Sequence, residues 1–203
     1  LGGITVFDAN SPWSVALHLG NALVVFAVMA RLFVAAGPEP ATPVGEAPRL
    51  MAGAAWLAAL LTMVTAAVTA KSGASLACYT WPDCNGVWIP ALDDPLVRVH
   101  FFHRALAAIT AVLTVGLLWL AWRQGDRLIR RVLLAAPALV GVQVVWGALV
   151  IVWEVPIWTA VVHQGTGVAL FLLLSVLLWL LRAAPKPAHE VNDVRLQGAR
   201  TAL

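Results

Sequence analysis

The chain has 203 residues, 61% of them hydrophobic and 11% charged, with a mean hydropathy of +0.86. These values lie far outside those of water-soluble domains, so lipid rather than water is the main solvent of its surface. A net charge of +3 from 13 Lys and Arg excludes a nucleic-acid interface, because the cations are scattered between apolar runs and form no basic face.

In chain order, the start Leu1-Gly2-Gly3-Ile4 has neither an initiator Met nor a basic n-region, does not read as a signal peptide and resembles the middle of a longer chain. A first apolar segment, 12–35, is interrupted only by His18, Asn21 and Arg31; a proline-rich stretch, 37–48, reads as a flexible inner linker. Four further segments, 51–70, 99–122, 132–153 and 157–181, each reach the roughly 20 apolar residues that cross a bilayer core. Residues 183–203 read as a mobile tail. The expected fold is an all-α integral membrane bundle of about five transmembrane helices.

Orientation follows from the cations. The alternate segments 31–50, 122–131 and 182–203 carry ten Lys and Arg, and the opposite side carries only Lys71, Arg98 and Arg104. The positive-inside rule then places the N-terminus, the 71–98 loop and the 154–156 turn outside and the C-terminus in the cytoplasm, in a bacterial plasma membrane. Cys78 and Cys84 both fall in the outward loop. A disulfide is the reading favoured by an oxidising compartment, with two free thiols as the alternative.

An offset of 145 residues aligns Gly2 with Gly147, Trp13 with Trp158, His18 with His163, Gly20 with Gly165 and Phe26 with Phe171. Both copies read W-x-x-x-x-H-x-G, a register that apolar helices seldom share by coincidence. On this reading residues 1–35 are the last helix of an incomplete first four-helix half, 36–50 an inner linker, and 51–182 a complete second half with its outer loop at 71–98.

His18, His103 and His163 each lie five or six residues into their segments, about 8–10 Å below the outer surface at 1.5 Å per residue. Ionisable groups at that depth should face the bundle interior and a partner. We place His103 and His163 on the first and last helices of the complete half, which can be adjacent. Two imidazoles at equal depth suit the axial positions of a low-spin heme, and hydrogen bonding to neighbouring helices is the plainer alternative. No H-E-x-x-H, helical cysteine cluster or buried carboxylate supplies ligands for zinc or a di-iron centre. Arg104 could pair with heme propionates; Lys71 and Arg98 could do the same or only anchor helix ends. His100, near the helix mouth, suits the propionate region, Asp83, Asp93 and Asp94 read as solvated loop acids, and His189 lies in the polar tail.

The loop Ser75-Leu76-Ala77-Cys78-Tyr79-Thr80-Trp81-Pro82-Asp83-Cys84-Asn85-Gly86, then Ile89-Pro90, His100-Phe101-Phe102-His103-Arg104 and Val162-His163-Gln164, together resemble the second half of heme A synthases. The resemblance runs through nearly all of 1–182. It implies an eight-helix protein of two pseudo-symmetric halves. In the second half, residues matching His103 and His163 hold heme b, and a disulfide matches Cys78 and Cys84. The first half takes heme o as substrate and oxidises its C8 methyl to the formyl group of heme a, with His18 matching a ligand of that substrate heme.

The first-half loop and its other histidine are absent from this sequence, so the resemblance assigns catalysis to residues the chain does not show. It further implies an electron donor and terminal-oxidase assembly partners. The competing reading is a bis-histidine cytochrome b subunit that transfers electrons within a respiratory complex and catalyses nothing.

Overall fold

The computed structural model describes residues 1–37 and 44–183. The central part of the expected linker and nearly all of the expected tail, His189 included, lie outside the described residues. Six α-helices follow one another: α1 (Gly2–Phe7), α2 (Pro12–Ala36), α3 (Glu46–Lys71), α4 (Pro95–Ala121), α5 (Arg127–Val152) and α6 (Ile157–Arg182). The last five are long and apolar enough to cross a membrane, and the protein is a multi-pass helical membrane bundle.

Helix ends are set by caps rather than by hydropathy. Ser11 accepts from the Ser14 amide ahead of Pro12, Asp94 from the Leu96 amide at 2.8 Å, and Asp126 from the Ile129 amide at 2.9 Å. Accordingly α4 and α5 begin four and five residues before the apolar windows at 99 and 132; α3, whose N-cap Gly45 makes no side-chain cap bond, likewise begins five before 51. Their first turns carry Glu46, Arg49, Arg98, Arg127, Arg130 and Arg131, charged residues that a helix end at the headgroups accommodates by extending their stems.

Helix α3 packs against α2, α4 and α6, while α5 packs against α4 and α6. The four helices from α3 to α6 therefore close a ring in which α4 and α6 stand on a diagonal. This corrects the placement of the histidine helices: His103 is on the second helix of the four, not the first, and the helices of His103 and His163 are opposite each other rather than adjacent. A diagonal pair leaves the middle of the bundle between them.

That middle is filled unevenly. One apolar cluster, with Ala52, Leu117, Ala121, Ile129, Leu133, Leu177 and Leu181, closes the end away from the 71–98 loop. A second, with Leu23, Ala59, Met63, Ala136, Val140, Leu170, Phe171 and Leu174, fills the centre. Within it Trp56 stacks on Phe171 at 5.6 Å and donates from Nε1 to Ser175 Oγ at 3.0 Å. Neither cluster includes the histidines, which lie about two helical turns nearer the loop than Leu170 and Ala111.

The repeat is visible in the backbone. Ala9 and Asn10 join α1 to α2 with φ of 48° and 55°, and Glu154 and Val155 join α5 to α6 with φ of 56° and 60°. Asn10 N–H donates to Thr5 O at 2.7 Å, as Val155 N–H does to Val150 O at 2.8 Å. All these pairs are 145 apart, as are the helix ends Phe7 and Val152 and the helix starts Pro12 and Ile157. Two consecutive non-glycine residues in the left-handed region are uncommon, so their recurrence at one offset marks a shared fold.

Candidate functional site

A polar seam runs between α3 and α4. Thr62, Thr65 and Thr69 recur at helical spacing along one side of α3. Thr62 Oγ1 meets Thr110 Oγ1 of α4 at 3.0 Å. Beside them the Nδ1 of His103 lies 3.2 Å from Thr62 O and 3.4 Å from Thr65 Oγ1. The carbonyl accepts only, so the ring carries its proton on Nδ1. The other nitrogen, Nε2, then keeps its lone pair, which is how protein structures prepare an imidazole to ligate iron.

Across the bundle, His163 is held by packing. A Cβ placed on Gly147 would stand 3.2 Å from His163 Cε1, so α5 comes against the ring through a bare backbone. Its Nδ1 is buried with no hydrogen-bond partner. Leaving such an atom unpaired costs about 1–3 kcal/mol. From α5, Gln143 Nε2 donates to His163 O at 2.9 Å and to Thr166 Oγ1. This fixes the turn of α6 that carries His163.

The repeat extends to side-chain packing: a Cβ on Gly2 would meet His18 Cε1 at 3.6 Å, the counterpart of the contact between Gly147 and His163. His18 itself is exposed, on a face of α2 outside the α3 to α6 ring. His103 and His163 thus stand on opposite helices of one four-helix ring, and His18 lies outside it. His18 and His163 are each the seventh residue of their helices, and His103 is the ninth, because α4 begins earlier than hydropathy suggests.

His100 and Arg104 are engaged with the loop. His100 is only 4% exposed, and its Nδ1 lies 3.2 Å from the Cys78 amide nitrogen; with Nε2 accepting from Arg104, the neutral ring carries its proton on Nδ1, so this is a packing contact. Arg104 donates from Nε to His100 Nε2 at 3.1 Å, from Nη1 to Thr80 O at 2.9 Å and Asp83 O at 2.6 Å, and from Nη2 to Cys78 O at 2.7 Å. Cys78 and Cys84 are buried at disulfide distance with a Cα separation of 4.6 Å. Asp83 is half-buried rather than simply solvated: its Oδ1 accepts from Thr80 Oγ1 and from the Gly86 amide. Asp94 caps α4, and Lys71 and Arg98 are exposed.

Sequence reasoning missed Thr62, Thr65, Gln143 and Thr166, although polar residues inside an apolar span were a readable signal. Among the described residues no three His, Cys, Asp or Glu side chains converge. The donors near the bundle middle are therefore two imidazoles from opposite helices, one with its Nδ1 anchored and one with an orphaned nitrogen, above a core that stops short of both. This set fits a planar macrocycle ligated on its two faces. If it does, Gly147→Val drives a branched side chain into the His163 ring. The expected result is a shifted Soret band and a broadened low-spin electron paramagnetic resonance signal in a protein that still folds; an unchanged spectrum would show that Gly147 has no part in placing the ring.

Fold and residues define a multi-pass membrane bundle with paired histidines toward one end. The chain belongs to the COX15-CtaA family, described as cytochrome oxidase assembly protein, whose family model matches residues 3–175. It is 36% identical to the heme A synthase of Rhodospirillum centenum, covering 91% of this chain and 53% of that protein. It is 33% identical to the heme A synthase of Symbiobacterium thermophilum, covering 89% and 62%. A Halobacterium salinarum protein named protoheme IX farnesyltransferase is 42% identical over 123 residues, 60% of this chain and 28% of that protein. The chain spans about half the length of the heme A synthases it matches.

Proposed function

We propose that the chain is the heme b-binding half of a heme A synthase-type oxidoreductase, with His103 and His163 as axial ligands. The carrying observation is the anchored Nδ1 of His103 set diagonally across the bundle from the orphaned Nδ1 of His163. The substrate reading is heme o, whose C8 methyl is oxidised to the formyl group of heme a. No side chain oxidises an unactivated methyl group unaided, so heme iron supplies the redox chemistry when bound, together with an electron partner.

In this reading the chain's own residues position and seal. Thr62 O and Thr65 orient His103, Gly147 and Gln143 orient His163, and Arg104 with His100 fastens the loop over that end of the bundle. The propionate contact expected of Arg104 falls to its one N–H not engaged in a hydrogen bond, or to exposed Lys71 and Arg98.

Residues 1–35 are read as the last helix of a companion half in which His18 contributes to the substrate-heme site. Pseudo-symmetry supports this: Gly20 is covered by Val64 of α3, where a Cβ would meet Cγ2 at 3.2 Å, whereas its counterpart Gly165 is open. The open patch on α6 is thus the place for a helix equivalent to α3. The cation asymmetry of the sequence supports a plasma-membrane orientation with the disulfide loop outside and the C-terminus in the cytoplasm.

The test is a reduced-minus-oxidised spectrum of the purified protein with pyridine-hemochrome analysis of its pigment. Heme b is the expected result. Heme o or heme a beside it would favour the synthase over the electron-transfer cytochrome, heme b alone is shared by both, and a colourless protein would overturn both.

A further inference from the structure

At the end of the bundle away from the disulfide loop, α2 and α6 bring two arginines to one tryptophan, and α3 adds a third arginine beside one of them. Trp179 of α6 donates from Nε1 to Ala27 O of α2 at 3.1 Å, which fixes its ring against α2. The guanidinium carbons of Arg31 and Arg182 lie 5.2 Å and 5.9 Å from the centre of that ring. Arg182 also reaches α3, where a Cβ on Gly53 would stand 3.2 Å from its Nη2. One turn before Gly53, on the same side of α3, is Arg49, whose Nε is buried with no hydrogen-bond partner.

The arrangement is unbalanced in charge. Among the described residues no carboxylate forms an ion pair with any of the three. The C-terminal carbonyls of α6 favour Arg182, but Arg49 sits in the first turn of α3, where the helix dipole is positive and disfavours a cation. Glu46, in the same turn, does not pair with it. The buried Nε of Arg49 lacks an acceptor among the described residues. Planar guanidinium forks grip phosphate oxygens well, and these helix ends lie at headgroup depth.

We propose that Arg31, Arg49 and Arg182 form a site for a phosphate-bearing anion, with Trp179 as its floor and Gly53 keeping the approach to Arg182 open. The phosphate comes either from an anionic phospholipid headgroup or from solution. Such a site is independent of heme.

The test is native mass spectrometry of the full chain in detergent, titrated with phosphatidylglycerol. One saturable adduct is expected. The triple variant Arg31→Gln, Arg49→Gln, Arg182→Gln should weaken it by about tenfold or more, the order of a lost charge-assisted contact. Gly53→Ala should weaken it more mildly while leaving helical circular dichroism and the melting curve unchanged, which separates loss of the site from misfolding. Displacement of the adduct by millimolar inorganic phosphate identifies free phosphate as the source, and resistance to it identifies the lipid. Undiminished phosphatidylglycerol binding in both variants, or equal binding of phosphatidylcholine, whose phosphate carries its own counter-charge, overturns the proposal.

Discussion

Membranes containing His103→Ala or His163→Ala are expected to lose the b-type heme band from the reduced-minus-oxidised spectrum, each variant alone being sufficient. The two residues would hold the group from opposite helices, so removing either takes away one of its two protein attachments. Loss of an outer-shell partner alone typically weakens metal binding by about 10–100-fold, and loss of an axial ligand should exceed that. Thr65→Val, which removes only the contact of 3.4 Å to His103 Nδ1, should cost less than about tenfold because Thr62 O still holds the ring. His18→Ala should leave this heme untouched, since its ring is exposed outside the four-helix ring. Full heme occupancy in both the His103 and His163 variants would end the assignment.

The second large effect is expected at Arg104. Three of its hydrogen bonds tie α4 to the carbonyls of residues 78, 80 and 83, and the fourth, to His100, lies within the helix. Charge-assisted bonds contribute about 1.5–3 kcal/mol each, but freed loop carbonyls can turn to water, so Arg104→Ala should cost about 3 kcal/mol in all. Arg104→Lys keeps the charge and loses the planar fork, and should recover only a minor part. Closing a loop as short as 78–84 with a disulfide contributes about 2 kcal/mol at most. The double variant Cys78→Ser, Cys84→Ser should therefore melt above Arg104→Ala. Thermal unfolding in detergent and chymotryptic cleavage at Tyr79 and Trp88 report both. An Arg104→Ala protein as stable and protected as the unmodified chain would remove the clamp from the account.

Much of this architecture is legible in the amino-acid sequence. Five spans follow from hydropathy, because in lipid every backbone polar group must be paired within its own helix. The repeat is legible from Trp13, His18 and Gly20 against Trp158, His163 and Gly165, and the paired left-handed turns show that it extends to backbone geometry. Helix starts are less legible: Arg49 and Arg127 depress the hydropathy of first turns that nonetheless lie inside α3 and α5. Which helices are neighbours is not legible at all, since depth along each helix says nothing about position around the ring.

The candidate site divides in the same way. His103 and His163 stand out as ionisable residues inside apolar spans, while the employment of Arg104 and His100 depends on where a loop more than fifteen residues upstream folds back. Their nearness to His103 in sequence suggests a shared ligand. Their contacts instead attach them to the loop.

The four-residue turns bear on biogenesis. A connection of only Trp153 to Pro156, with Glu154 and Val155 both in the left-handed region, leaves α5 and α6 little slack and favours their insertion as a hairpin. Because Gly147 and His163 sit on the two arms of that hairpin, the contact between them is local in the chain and needs neither α3 nor α4.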